Sequence, residues 1–114
     1  MIDVYGIPNC NTVKKALDWL NENKISFTFH NFKKEGVNEV DLKKWIAVVG
    51  WEALVNKKGT TWRQLEEATQ KKITNEKAAI GLMMEKTSVI KRPVVVLKDK
   101  IVLGFDEAVY QKSF

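Results

Sequence analysis

The hydrophobic period of this chain changes from strand to helix and back to strand within its first third, and this change constrains the fold most. Residues 2–5 have the pattern of a short strand, which ends at Gly6 and Pro8, as strands commonly do. Apolar residues then recur at helical spacing, at Val13, Ala16, Leu17 and Leu20. The aromatic-rich residues 26–32 return to a strand pattern. Strand, helix and strand within about thirty residues predict a parallel βαβ unit.

The middle of the chain, residues 40–86, has helical periodicity. A first helix should end at Gly50, after apolar residues at helical spacing, namely Leu42, Trp45, Ile46 and Val49. The sequence Thr61-Trp62-Arg63-Gln64 has the form of a capping box. It predicts a helix that buries Trp62, Leu65 and Ala68 or Thr69. Thr74 or Asn75 is expected to cap a last helix, which continues to Met84.

The strand period returns near the C-terminus. Residues 93–97 contain a run of three β-branched valines, and a turn at residues 98–100 leads back into residues 101–103, so a hairpin is predicted. Asp106 can cap a short final helix. We therefore predict one α/β domain with a four-stranded mixed sheet and a helical insertion between the second and third strands, which is the thioredoxin arrangement. The expected parts are a βαβ unit (1–34), the helical insertion (38–88) and a ββα unit (92–114).

Composition limits the classes of protein that this chain can represent. A length of 114 residues fits one domain. The single cysteine excludes an internal disulfide and suits a reducing compartment, and a single histidine leaves no Cys/His cluster for a structural metal. We see neither a signal-peptide pattern nor an apolar run near the ~18 residues of a membrane span. We therefore expect a cytoplasmic monomer with no metal and no membrane partner.

The net charge of +5 comes mainly from lysine. The lysines stand in scattered pairs rather than on one element, whereas a nucleic-acid-binding protein concentrates its basic residues. The chain has two arginines, Arg63 and Arg92. We expect no nucleic-acid partner, and we interpret most of the lysines as solvated surface and a few as local anion sites.

The only cysteine, Cys10, stands between the first strand pattern and the first helix pattern. We expect it at the N-cap or the first position of that helix. Unpaired amides and the partial positive charge of a helix N-terminus favour a thiolate, so the pKa of Cys10 should fall below the ~8.5 of a free thiol. Lys14 and Lys15 lie where the helix dipole disfavours cations, which indicates a nearby anion. A buried structural cysteine is the alternative.

Four segments of the chain resemble the ArsC/Spx family, and most closely its YffB-like branch. They are YGIPNCNT (5–12), GWEALVN (50–56), GTTWR (59–63) and IKRP (90–93). The resemblance covers nearly the whole chain and implies a thioredoxin-like fold. It also implies that Cys10 is the catalytic nucleophile, that Pro93 is a cis-proline beside it, and that Arg92 corresponds to an arginine that helps to hold arsenate in the reductases of the family.

The chain departs from two patterns of this family. The resemblance implies three arginines around the cysteine of an arsenate reductase, but here Arg92 alone matches. Lys58 is the best candidate for the second position, and Gly104-Phe105 stands at the third. Lysine does not reproduce the bidentate binding of an oxyanion by arginine. Spx-type regulators in many cases carry a Cys-x-x-Cys switch, whose second position is Val13 here, so an intramolecular disulfide is impossible.

A single thiol that takes part in thiol–disulfide exchange needs a second thiol from outside the chain. Glutathione is the natural co-substrate, and its two carboxylates suit Lys14, Lys15, Lys58 and Arg92. We expect the glutathione or substrate site to include Pro8, Asn9, Asn11, Thr12, Lys14, Lys58 and Arg92. The predicted function is that of a glutathione-dependent thiol–disulfide reductase, an oxidoreductase without a bound cofactor, whose substrate is a glutathionylated or disulfide-bonded molecule.

Two other functions remain open from the sequence. One is a regulatory module that binds a protein partner such as RNA polymerase, as Spx-type proteins do. The other is an arsenate reductase with an incomplete arginine triad. His30, in a strand pattern, is expected to be an ordinary surface or edge residue rather than a catalytic base.

Overall fold

A computed structural model describes residues 2–114, which form two compact units. The first unit contains the chain up to Glu35 together with Arg92–Phe114, and the second unit is Gly36–Lys91. The strands of the sheet belong to the first unit, and the second unit is mainly helical. No helix within residues 2–114 combines the length and the apolar character that a membrane span requires.

The first unit is built on a four-stranded sheet. Strands β1 (Ile2–Gly6) and β2 (Phe27–Asn31) pair in parallel. Strands β3 (Val94–Val96) and β4 (Ile101–Leu103) form an antiparallel hairpin, and β3 also pairs antiparallel with β1. The strand order is β2-β1-β3-β4, and the helical segment of the chain lies between β2 and β3. The mixed α/β fold predicted from the sequence is therefore confirmed.

The helices of the described chain follow in sequence order. They are α1 (Asn11–Glu22), α2 (Phe32–Glu35), α3 (Glu39–Val49), α4 (Trp51–Leu54), α5 (Thr60–Arg63), α6 (Glu67–Lys72), α7 (Glu76–Glu85) and α8 (Glu107–Ser113), with a 3₁₀ turn at Thr87–Val89 before β3. Asparagine or aspartate side chains cap three of these helices, because Asn38, Asn75 and Asp106 each accept the backbone amide three residues on.

One apolar cluster joins the sheet of the first unit to α1 and α8. Its buried members are Val4, Ala16, Leu20, Val95, Val102 and Tyr110. The hydroxyl of Tyr110 donates a hydrogen bond of 2.6 Å to the carbonyl of Gly104. Burial raises the pKa of Tyr110, so the hydroxyl stays neutral and keeps this bond. The polar atom of the largest fully buried side chain is thus satisfied inside the core.

Two local predictions from the sequence are wrong. The capping box at Thr61 does not begin a long helix: α5 begins at Thr60 after the N-cap residue Gly59, without a side-chain cap, and ends at Arg63. The following segment forms α6 separately. The second strand also ends earlier than predicted, because Phe32 begins α2 and is buried there.

Strand β1 and helix α1 approach each other closely at Gly6. A Cβ atom added to Gly6 would lie 2.9 Å from Cγ2 of Val13, a fully buried side chain. Valine has little rotamer freedom in a helix, so it cannot move aside cheaply. The absence of a side chain at Gly6 therefore allows the first turn of α1 to pack against the end of β1.

The substitution Gly6→Ala should lower the free energy of unfolding by about 1–3 kcal/mol, the usual cost of an overpacked core. Chemical denaturation measures this change. Gly81→Ala is the matched control, because Gly81 lies inside α7 and its added Cβ meets no atom within 4 Å. This control should raise the stability by up to about 1 kcal/mol. Equal effects of the two substitutions would contradict the close packing at Gly6.

Candidate active site

Cys10 is the N-cap residue of α1. Its backbone is extended, with φ −111° and ψ 124°, and its carbonyl accepts the amide of Lys14 at 2.9 Å, the first bond of the helix. Asn11, Thr12 and Val13 follow as the first three helical residues, whose amides have no carbonyl partner within the helix. The sulfur is half-buried, and as a thiol it makes no capping hydrogen bond of standard geometry. The expected helix N-terminal position of Cys10 is thus the one observed.

The surroundings of the sulfur favour its ionised form. Burial of the thiol by itself raises the pKa of Cys10, because a charge is less stable away from water. The backbone amide of Val13, the hydrogen bond and positive charge of Arg92, and the backbone amide of Thr12 act in the opposite direction and outweigh it. The pKa of Cys10 therefore lies below its ordinary value. Neither Lys14 nor Lys15 is among the groups that lower it.

Arg92 and Pro93 directly precede β3 in the first unit. The Arg92–Pro93 peptide bond is cis, as expected from the sequence. Pro93 is fully buried, and its carbonyl accepts the amide of Gly104 at 2.9 Å, which ties it to the segment after β4. Arg92 is half-buried, and its guanidinium supplies up to five N–H donors in a fixed plane. Its hydrogen bond and positive charge are among the causes that lower the pKa of Cys10, so Arg92 belongs to the surroundings of the sulfur.

The other predicted binding residues of the first unit surround the N-terminus of α1. Pro8 and Asn9 are exposed in the turn before Cys10, and Asn11 and Thr12 are exposed in the first helical turn. Lys14 is exposed one residue beyond Val13. These positions leave a solvent-accessible surface beside the sulfur. Contact of a ligand with them stays a prediction.

Lys58 belongs to the second unit, where it lies in an exposed turn. The side-chain oxygen of Asn56 accepts the Lys58 amide at 3.3 Å, and the carbonyl of Asn56 accepts the amide of Gly59 at 3.2 Å. The turn is therefore held by its own asparagine. The predicted role of Lys58 in ligand binding stays a prediction.

His30 is not arranged as a base for Cys10. Its Nε2 lies 2.9 Å from Oδ1 of Asp3, and its Nδ1 lies 3.2 Å from Oε1 of Glu35. Both ring nitrogens are therefore engaged by carboxylates. This partnership was not predicted from the sequence, although Asp3 and His30 become near neighbours once β1 and β2 are aligned. No group of three His, Cys, Asp or Glu side chains suited to a metal ion occurs among residues 2–114.

The fold and this site define a class of protein: a thioredoxin-like domain with a cysteine at the N-cap position of the first helix, an arginine that lowers the pKa of that cysteine, and a cis-proline after the arginine. The family model described as the ArsC family matches residues 5–113. The chain therefore belongs to the ArsC family.

Known proteins resemble this chain over almost its full length. An uncharacterized protein of Haemophilus influenzae is 40% identical over 114 residues, which are 100% of this chain and 99% of the relative. The solved structure of the YFFB protein is also 40% identical, with a TM-score of 0.92, and the match covers 98% of this chain and 97% of that one. The global transcriptional regulator Spx 1 of Lactococcus lactis is 26% identical over 94% of this chain and 84% of the regulator.

The reactivity of Cys10 should reveal a lowered pKa. The pH profile of its alkylation rate is expected to have a midpoint below the ~8.5 of a free thiol. Arg92→Ala should move this midpoint to higher pH, because it removes both a hydrogen bond and a positive charge from the thiolate. Arg63→Ala is the control, since it removes the other arginine, which is exposed in the second unit, and it should leave the midpoint unchanged.

The lowered pKa also predicts the sign of a stability change. The thiolate adds stability that is fully present above the pKa of the unfolded chain and is lost as the pH falls through the folded value. The unfolding free energy of the wild type should therefore rise relative to that of Cys10→Ala as the pH increases from the folded to the unfolded pKa of Cys10. A difference that does not change with pH would contradict the thiolate site.

Proposed function

We propose that this protein is a glutathione-linked thiol–disulfide reductase and that Cys10, the single cysteine of the chain, is its nucleophile. The observation that carries this proposal is the position of the sulfur at the N-cap of α1, where the amides of Val13 and Thr12 and the side chain of Arg92 lower its pKa. A thiolate is the attacking species in thiol–disulfide exchange.

The proposed reaction has two exchange steps. The Cys10 thiolate attacks the glutathione sulfur of a glutathionylated substrate, so a Cys10–glutathione disulfide forms, the substrate disulfide breaks and the substrate leaves as a thiolate. The thiolate of a second glutathione then attacks this mixed disulfide, which releases oxidised glutathione and restores the Cys10 thiolate. The substrate takes up the proton that the second glutathione lost. One substrate disulfide is thereby reduced, and one glutathione disulfide is formed.

The same interactions support both steps. In the first step, the lowered pKa increases the fraction of Cys10 that is ionised near neutral pH. In the second step, Cys10 is the leaving group, and a thiol of low pKa leaves faster. The chain holds no second cysteine that could resolve the mixed disulfide, so the resolving thiol comes from solution.

Glutathione suits the charges around this surface. It carries two carboxylates, and Arg92 beside the sulfur and the exposed Lys14 on α1 are cations of the first unit that we assign to them. Arg92 can bind a carboxylate through two parallel hydrogen bonds, whereas Lys14 acts as a point charge. The exposed residues Pro8 and Asn9 would then border the peptide backbone of the ligand.

Two other functions have specific support. The similarity to the regulator Spx 1 favours a module that binds a protein partner such as RNA polymerase. Membership of the ArsC family favours arsenate reduction. Arsenate reduction is disfavoured because the family's arsenate reductases are expected to carry arginine at three positions. At two of these positions the chain has Lys58 and Gly104-Phe105. The reductase proposal needs neither a second cysteine nor a complete arginine triad.

Oxidised glutathione should convert the reduced protein to a single mixed disulfide at Cys10, and excess reduced glutathione should reverse the reaction. Intact-mass measurement detects the adduct, and Cys10→Ser should form none. With a glutathionylated peptide and an excess of glutathione, the protein should then accelerate release of the peptide thiol. Arg92→Ala should slow this release about tenfold, the effect of removing one hydrogen bond to a charged group.

Lys33→Ala is the control for a general loss of positive charge, because Lys33 lies on α2 rather than α1, and it should release the peptide thiol at the wild-type rate. A protein that forms the adduct but never turns over would contradict the reductase proposal. Thiol oxidation that depends on arsenate would favour arsenate reduction. Capture of RNA polymerase subunits together with inert exchange chemistry would favour the regulatory alternative.

A further inference from the structure

His30 connects two elements of the first unit through its two ring nitrogens. Its Nε2 contacts Asp3 on β1 at 2.9 Å, and its Nδ1 contacts Glu35 at the end of α2 at 3.2 Å. The second carboxylate oxygen of Glu35 accepts the amide of Asn31 at 3.2 Å. Glu35 is thus bound to β2 twice, once through the imidazole and once through the backbone. The ring of Tyr5 stacks on the imidazole, with centroids 4.4 Å apart and planes 13° apart.

The protonation state of His30 decides whether both carboxylates can be bound. A protonated imidazole has two N–H donors and can donate to Asp3 and Glu35 together. A neutral imidazole has one donor and one lone pair. One of the two carboxylates would then face that lone pair at hydrogen-bond distance, which is repulsive. Loss of the proton must therefore weaken one of the two contacts.

Two observations indicate that the contact to Glu35 is the one that opens. It is longer than the contact to Asp3, at 3.2 Å against 2.9 Å. The side chain of Glu35 is also more exposed, at 55% against 43% for Asp3, so water replaces its partner more easily. The neutral imidazole should keep its proton on Nε2 towards Asp3, which leaves Glu35 held by the Asn31 amide alone.

We propose that His30 is a pH-dependent latch: its protonated ring holds the end of α2 against β2 through Glu35, and loss of the proton releases Glu35 and loosens α2. Helix α2 has only four residues, so it has little stability of its own. Glu35 also directly precedes Gly36, whose φ of +68° marks the turn by which the chain leaves the first unit. The latch does not depend on the redox function proposed for Cys10.

The charged groups around the ring explain the pH range in which the latch works. Asp3 and Tyr5 face His30 from β1, and Glu35 faces it from α2. Burial by itself lowers the pKa of His30, but the hydrogen bonds and negative charges of Asp3 and Glu35 raise it above its ordinary value of 6.5. The latch is therefore closed below about pH 6.5, and it opens as the pH rises through the higher folded value.

Nuclear magnetic resonance can follow the titration of the ring and the opening of the latch in the full chain. The imidazole signals should give a midpoint above 6.5. Solvent exchange of the Asn31 amide, corrected for the intrinsic effect of pH, should become about tenfold faster through the same midpoint, as expected when its acceptor Glu35 loses one hydrogen bond to a charged group. The Val95 amide in the core strand should show no such step.

Variants separate the latch from a general effect of pH. Glu35→Gln should lower the midpoint of the His30 titration and abolish the pH-dependent rise in the exchange rate of the Asn31 amide (the Asn31 step). The reason is that the uncharged side chain of glutamine no longer favours the protonated ring. His30→Asn should also abolish the step. Glu85→Gln is the matched control, since it removes an exposed carboxylate from α7 in the second unit. It should leave the His30 midpoint and the pH-dependent rise in Asn31 exchange unchanged. A midpoint at or below 6.5, or an Asn31 step that survives in His30→Asn, would overturn the proposal.

Discussion

The parallel pairing of β1 with β2 is the constraint on which the candidate site depends. Two parallel strands in one sheet need a crossover connection, and here helix α1 provides it. The chain has only residues 7–10 in which to turn from the end of β1 into α1. Because Gly6 has no side chain, Val13 in the first turn of α1 can pack close to the end of β1. Cys10 therefore lies at the carboxyl end of β1 and at the N-terminus of α1 at once.

Strand β3 brings the second charged group of the site to the same edge of the sheet. It runs antiparallel to β1, with Val94 opposite Tyr5, so Arg92 continues past the end of β1 towards the turn that holds Cys10. Arg92 is distant from Cys10 in sequence, but the pairing of β1 with β3 brings the two segments together in space. Because the arginine and the helix amides together outweigh the cost of burying the thiol, the pKa of Cys10 is lowered. His30, by contrast, is stabilised in its charged form by carboxylates.

The sequence predicted the elements whose hydrophobic period is clear and local. These include β1, α1 and the hairpin of β3 and β4, together with the N-terminal position of Cys10. The missed features lie around His30. Its bond to Asp3 spans 27 residues and needs the register of β1 against β2, which a single sequence does not contain. Its bond to Glu35 spans only five residues, but it depends on α2, a helix that the strand pattern of residues 26–32 did not predict. The proximity of Arg92 to Cys10 was reached only through the family resemblance.

The binding of glutathione beside residue 10 is tested most directly by titrating the Cys10→Ser protein with reduced glutathione and following the amide chemical shifts. This variant keeps the site but prevents the covalent step, so the titration reports recognition alone. We expect saturable shifts that cluster at residues 8–14 and 91–93 and that weaken when Arg92 is replaced by alanine. Shifts confined to residues 40–86, or none near residue 10 at millimolar glutathione, would contradict this binding.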